Sequence, residues 1–164
     1  MHLSASDLVG SLGLVSNPEG GFFRQSYTAP VSDQGDRPPV TVIYYLITSR
    51  DPIGYLHRMT ADSVHFFHLG SPLRVHLIDP AGNLESAIMG PDLLAGHQLQ
   101  CVVKGGVWKA FELPGGDYAL ISEAVTPGWI ASDQQSAGPD LVSEQFPHLK
   151  DRIERFIRSE GIDR

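Results

Sequence analysis

From Phe22 to Val125 the chain is a succession of short apolar runs with a period of two: FFRQSYT, VTVIYYLITS, SVHFFHL, LRVHLID, VWKAFEL and DYALISEAV, each bounded by Gly, Pro, Asp or Asn. No other feature constrains the fold as strongly, because side chains alternate across a strand and β-branched and aromatic residues suit a pleated, half-buried surface. Within 164 residues, 17 Gly and 12 Pro provide for many tight connections. The expectation is one all-β domain spanning residues 1–164. Asp79-Pro80-Ala81-Gly82-Asn83 and Pro114-Gly115-Gly116-Asp117 carry the residues that tolerate positive φ and read as hairpin turns. Val40 to Thr48 is apolar on both alternating sets, so that strand is central or lies at a subunit interface.

Helical periodicity is confined to the two ends. Ser4 and Asp7 precede and open a stretch with Leu8, Val9, Leu12 and Leu14, which predicts a capped amphipathic helix stopped by Gly13 or by Asn17-Pro18. Pro147, Leu149, Ile153, Phe156 and Ile157 predict a closing helix that stops at Gly161. Between the last strand and this helix, Ser132 to Asp140 reads as a polar connection. The architecture expected is a β-sandwich or small barrel with terminal helices.

Charge and composition exclude some partners. The formal net charge is -7 and no Lys/Arg run occurs, whereas binding to a phosphate backbone needs clustered cations. No segment approaches the ~18 apolar residues of a membrane span, and MHLSASDLVG lacks the regions of a secretory signal, so a cytoplasmic location is expected. The single cysteine, Cys101, has no base signature around it and reads as a small buried side chain.

Three stretches, NPEGGFFRQSY from Asn17, LHRMTADSVHFFHLG from Leu56, and VTPGW from Val125 followed by FPHLKDRIERF, resemble the small single-domain cupins of unknown function, the cupin-5 group. The resemblance runs over nearly the whole chain. It implies a jelly-roll double-stranded β-helix (a cupin barrel), commonly a homodimer, with a small-molecule pocket in the barrel mouth; it does not supply a reaction. Metal-binding cupins surround one divalent ion with three histidines and a glutamate. On that pattern His57 keeps the first histidine, but Met59, Ser63 and Lys109 stand at the other three positions. The family's own Asp-Glu pair becomes Asp62-Ser63, and the tryptophan that follows it becomes His65.

Alternation puts Ser63, His65 and Phe67 on one face of their strand and Val64, Phe66 and His68 on the other. If His57 and Ser63 face inward, so does His65. A metal would then have only His57 and His65, joined by His76 if its strand is turned that way, and structural metal sites want three or four ligands. The expectation is no bound cofactor and histidines that line the pocket. Glu19 and Arg24 flank a diglycine beside the mouth and are candidates to meet a polar ligand. Gln100 and Trp108 match the family block in which an indole lies beside an amide, a pair suited to a sugar-like ring, although Trp108 could equally be core. Arg58 is expected to pair with a carboxylate such as Asp62. One of Tyr44 and Tyr45 must face inward with its hydroxyl seeking a partner. By analogy with cupin-class sugar epimerases, His57 is the candidate base and Tyr45 the candidate acid.

The sequence thus leaves two readings. One is a module that binds a small polar molecule through Glu19, Arg24, Ser63, His65, Gln100 and Trp108. The other is a metal-independent isomerase or epimerase using His57.

Overall fold

The structure is a computed structural model and describes residues 3–31 and 35–158. Eleven antiparallel strands form two sheets that face each other. One has the order β1 (Val15–Ser16), β2 (Phe22–Thr28), β3 (Thr41–Thr48), β10 (Tyr118–Thr126), β5 (Asp62–Gly70), β8 (Gln100–Val103); the other runs β11 (Gln134–Ser136), β4 (Ile53–Met59), β9 (Trp108–Glu112), β6 (Leu73–Ile78), β7 (Leu84–Met89). The six period-two runs are β2, β3, β5, β6, β9 and β10; β1, β4, β7, β8 and β11 lie outside them, and the expected jelly-roll barrel is the fold.

Residues of one parity fill the space between the sheets: Tyr45 and Ile47 from β3, Val75, Cys101, Val103, Phe111, Ala119 and Ile121. The other parity of β3 is apolar for a separate reason. Helix α1 (Ala5–Leu12) lies over it, packing Leu8 and the following Leu14 on Leu46, Tyr118 and Leu120. That strand therefore needs no second subunit to cover it. Helix α1 begins as expected, with Ser4 and Asp7 in a reciprocal capping box, and it ends at Gly13 in the left-handed conformation.

The outer face of the five-stranded sheet is covered by the C-terminal segment. Val142, Phe146, Leu149, Ile153 and Phe156 pack on Leu56, Ile78, Trp108 and Ala110. The single closing helix expected there is instead α2 (Pro139–Gln145), a 3-10 turn at Pro147–Leu149, α3 (Lys150–Ile153) and a 3-10 turn at Glu154–Phe156. Gly161, the expected stop, lies outside the described residues.

Two further expectations are corrected. Pro114 to Asp117 joins β9 to β10, which belong to different sheets, so it is a corner of the barrel and not a hairpin turn. Asp79 to Asn83 is the hairpin expected, linking the paired β6 and β7. The polar connection from Ser132 contains strand β11, which pairs with β4 as Gln134↔Met59, Gln135↔Arg58 and Ser136↔His57. Its residues have no apolar periodicity because β4 binds them through the backbone, leaving their side chains free for polar work beside the barrel mouth.

Candidate functional site

A cavity of about 370 Å³ opens at the barrel mouth and is walled by β2, β3, β4, β10, the Asn17–Glu19 loop, Phe111, Trp129 and Gln134. Strand parity selects its lining. On β2 and β3 the inward set is Phe23, Gln25, Ile43 and Tyr45, while Arg24 and Tyr44 form an outward cross-strand pair. On β4 the inward residues include His57 and Met59, and Arg58 faces out, where it lies 4.7 Å from the Trp108 ring and donates to Gln135 Oε1 at 2.9 Å. The expected Arg58–Asp62 pair does not form; Asp62 accepts from Lys104 Nζ at 2.7 Å.

Glu19 reaches the cavity because its loop is pressed onto the start of β4. Gly20 and Gly21 have φ of 91° and 69°, and a Cβ on Gly20 would lie 2.1 Å from the Ile53 carbonyl oxygen, so neither position suits another residue. The Glu19 carbonyl accepts from the Tyr55 N–H at 2.7 Å and fixes the loop in register with the strand. Glu19 is 7% exposed; Oε1 accepts from Gln134 Nε2 at 2.9 Å and from Ser136 Oγ at 2.8 Å, and Oε2 is buried without a donor, 3.8 Å from His57 Nδ1.

His57 Nδ1 lies 2.7 Å from the Tyr55 carbonyl oxygen. A carbonyl can only accept, so the proton of the neutral ring sits on Nδ1 and Nε2 carries the lone pair. Burial first, and then the nearby Lys109 ammonium, push the His57 pKa below its ordinary value, with Glu19 opposing them. At neutral pH this is an uncharged base lining the cavity. Tyr45, 4% exposed, has a buried hydroxyl with no partner. Burial, reinforced by Asp51, Glu123 and Glu19, raises its pKa well above the usual phenol value, so the hydroxyl keeps its proton and can donate.

Deeper in the barrel lies a cluster of which sequence reasoning named Ser63, His65 and Lys109 but missed Glu123 and its pairing with Lys109. Lys109, 1% exposed, points inward from β9 and forms an ion pair with Glu123 of β10 in the opposite sheet. Its Nζ also lies 3.3 Å from Ser63 Oγ and 3.3 Å from His65 Nε2. Burial would raise the Glu123 pKa, but the Lys109 ammonium, helped by His65, outweighs it and holds this carboxyl well below the ordinary range. His65 is pushed down, chiefly by burial, and as a neutral ring accepts from Lys109. A signal was available: VWKAFEL and LISEAV each carry a lone charge on the inward parity of an otherwise apolar strand, and two such charges of opposite sign call for each other.

The candidate residues therefore divide. Glu19, Tyr45 and His57 line the cavity, and Ser63 and His65 lie in the cluster around Lys109. Arg24 is exposed on the outer face, with its guanidinium 5.9 Å from the Tyr44 ring, and Gln100 is exposed on the edge strand β8. Trp108, 1% exposed, packs with Phe146 in the core under the C-terminal segment. The three point away from the mouth because each has the parity opposite to its inward neighbours Phe23, Cys101 and Lys109. His76 is remote as well, bonded to Glu112 and Ser86 on the outer face.

The donor set does not fit the divalent ion of metal-binding cupins. An ammonium occupies the place of one ligand, among the residues that would have to hold a cation, and no group of three His, Cys, Asp or Glu side chains suited to a metal occurs among the described residues.

Two facing antiparallel sheets closed into a barrel, with a largely apolar cavity carrying a few polar groups at the mouth, have the architecture of a cupin. Residues 6–137 match the Cupin_5 family of the cupin superfamily (DUF985), and the chain belongs to that family. It is 32% identical over 148 residues to an uncharacterized protein of Saccharomyces cerevisiae, covering 79% of this chain and 73% of that one. A solved protein of Shewanella oneidensis superposes with a TM-score of 0.91 at 29% identity, over 97% of this chain and 100% of that one. A dTDP sugar isomerase of Desulfovibrio desulfuricans shares the fold, with a TM-score of 0.54 at 16% identity over 77% of this chain and 88% of that one.

Proposed function

We propose that the barrel mouth binds a small polar molecule, held by Tyr45, His57 and the Glu19 carboxylate. The observation that carries this reading is the pair of buried oxygens without partners, Tyr45 Oη and Glu19 Oε2, on residues that wall the same cavity. A buried polar atom left unpaired costs about 1–3 kcal/mol, and native proteins keep few of them except where something else supplies the partner. The volume of about 370 Å³ suits a molecule the size of a monosaccharide or smaller amphiphile.

A second reading makes the same site an isomerase or epimerase. It is favoured by the protonation states: an uncharged His57 with its Nε2 lone pair available, and a Tyr45 hydroxyl that retains its proton. Such a pair can take a proton from a carbon beside a carbonyl and return one. That a sugar isomerase shares the fold is compatible with this reading. The deeper charges take no part as donors, since Lys109 directs its N–H groups to Glu123, Ser63 and His65.

The test is capture of metabolites from extract by the native protein, identified by mass spectrometry, followed by His57→Asn. The expected result is a melting temperature nearly unchanged with ligand affinity weakened by about 1–3 kcal/mol, the loss of a buried hydrogen bond; a turning-over substrate would no longer be converted. Unfolding of His57→Asn with the affinity of the surviving fraction intact would make His57 a core residue and refute the assignment. The homodimer implied by the family resemblance is part of the proposal. Its support is the exposed apolar residues Leu69, Leu99 and Val102 at the β5–β8 edge, and light scattering that finds a monomer at micromolar concentration removes it.

A further inference from the structure

We propose that the ligand of the mouth is a small organic cation, a protonated amine on an apolar or aromatic body; this rests on the reading of the mouth as a binding site. Among the residues that wall the cavity there is no lysine and no arginine, while two are carboxylates, Glu19 and Glu123. Each carboxylate has one oxygen engaged and one left over. Glu19 commits Oε1 to Gln134 and Ser136 and keeps Oε2 without a donor. Glu123 commits Oε1 to Lys109, and its Oε2 makes no hydrogen bond to any described residue.

The formal charges do not cancel. Lys109 supplies one positive charge against the two carboxylates, and its Nζ is already surrounded by Glu123, Ser63 and His65. It therefore neutralises Glu123 without offering a donor to a ligand. The cavity keeps an excess negative charge beside the aromatic and apolar part of its wall, Phe23, Ile43, Tyr45, Phe111, Val125 and Trp129; its other polar residues, among them Gln25, Thr41 and the neutral His57, add no positive charge. Aromatic faces and carboxylates together attract an ammonium and repel a phosphate or carboxylate, and the low-dielectric wall strengthens both effects. The net charge of -7 on the whole chain acts in the same direction.

Three probes of one shape separate the possibilities: benzylamine, which is cationic at neutral pH, benzyl alcohol, which is neutral, and benzoate, which is anionic. Binding is followed by saturation-transfer NMR at millimolar concentration and by the fluorescence of Trp129 at the cavity rim. The expected result is that the amine binds at least ~10-fold more tightly than the alcohol, a difference of ~1.4 kcal/mol, and that benzoate does not compete. Glu19→Gln, which removes the charge and keeps an amide oxygen as acceptor for Gln134 and Ser136, should lose most of the preference for the amine over the alcohol, and a preference that survives undiminished overturns the role given to Glu19. An alcohol that binds as tightly as the amine, or a benzoate that displaces it, overturns the cationic assignment and leaves the mouth as a binding site. If none of the three binds, the reading of the mouth as a binding site fails with it.

Discussion

Replacing Lys109 by methionine removes the ammonium and keeps most of the volume of the side chain. Lys109 is 1% exposed and Glu123 7% exposed, so the carboxylate left behind has little solvent to replace its partner. Breaking one side of a buried ion pair costs about 3–5 kcal/mol, a large part of the ~5–15 kcal/mol that holds a domain together. For a chain of this size the melting temperature should fall by ~6–20 °C, at ~2–4 °C per kcal/mol. Urea denaturation at neutral pH measures the loss directly, and the double variant Lys109→Met/Glu123→Gln should recover most of it, because removing both partners leaves no uncompensated charge. Acid provides a separate check on sign. In the native protein the Glu123 pKa is depressed, so its contribution is present above the ordinary carboxylate value of 4.5 and is lost as pH falls through the folded value. In Lys109→Met the same carboxyl is buried without its cation, its pKa rises, and acidification then favours the folded state. The gap in stability between the two proteins should therefore narrow as pH drops. A single variant that loses less than ~1 kcal/mol, or a double variant as damaged as the single, would refute the view of Lys109 and Glu123 as a mutually dependent buried pair.

Burial pushes the pKa values of His57, His65 and His76 below the ordinary 6.5. The unfolded chain then takes up protons that the folded chain refuses, so stability should be complete above pH 6.5 and fall as pH drops below it, by up to ~1.4 kcal/mol per pH unit for each ring; a urea midpoint that stays level or rises from pH 7 to pH 5.5 would contradict this. Tyr45→Phe removes a hydroxyl that has no protein partner. It should leave the urea midpoint unchanged or slightly raised while weakening the captured ligand, and a clear loss of stability would mean the hydroxyl is bonded within the fold. Gly20→Ala places a Cβ 2.1 Å from the Ile53 carbonyl oxygen in a backbone with φ of 91°. The expected destabilisation is about 1–3 kcal/mol together with a loss of ligand affinity as Glu19 is displaced; Gly115→Ala, where a Cβ meets nothing within 4 Å, is the control, and equal behaviour of the two would refute the role given to the Asn17–Gly21 loop.

Most of the barrel was legible in the sequence because its causes are local. Alternation along a strand, a capping box at Ser4 and Asp7, and an Asx-Pro-x-Gly-Asx turn at Asp79 each act over a few residues, and each is found where it was expected. The site was legible only in part. Alternation fixes which residues share a face but not which face is inside. The sequence therefore required one of Tyr44 and Tyr45 to point inward, and pairing of β3 with β2 and β10 beneath α1 decided that it is Tyr45. The same choice of phase turns Lys109 into the barrel and Trp108 out of it. Bulges reset the phase along a strand, as between Gly54 and His57 and between Leu120 and Ile121, and no residue pattern announces them. Strand β11 was invisible because its polar residues are held by backbone pairing to β4. The union of Lys109 with Glu123 depends on two sheets meeting face to face, so the sequence by itself determined only that each strand carries one charge among the apolar residues of one parity, and the tertiary structure, through the cost of burying either charge alone, decided that both face inward as partners.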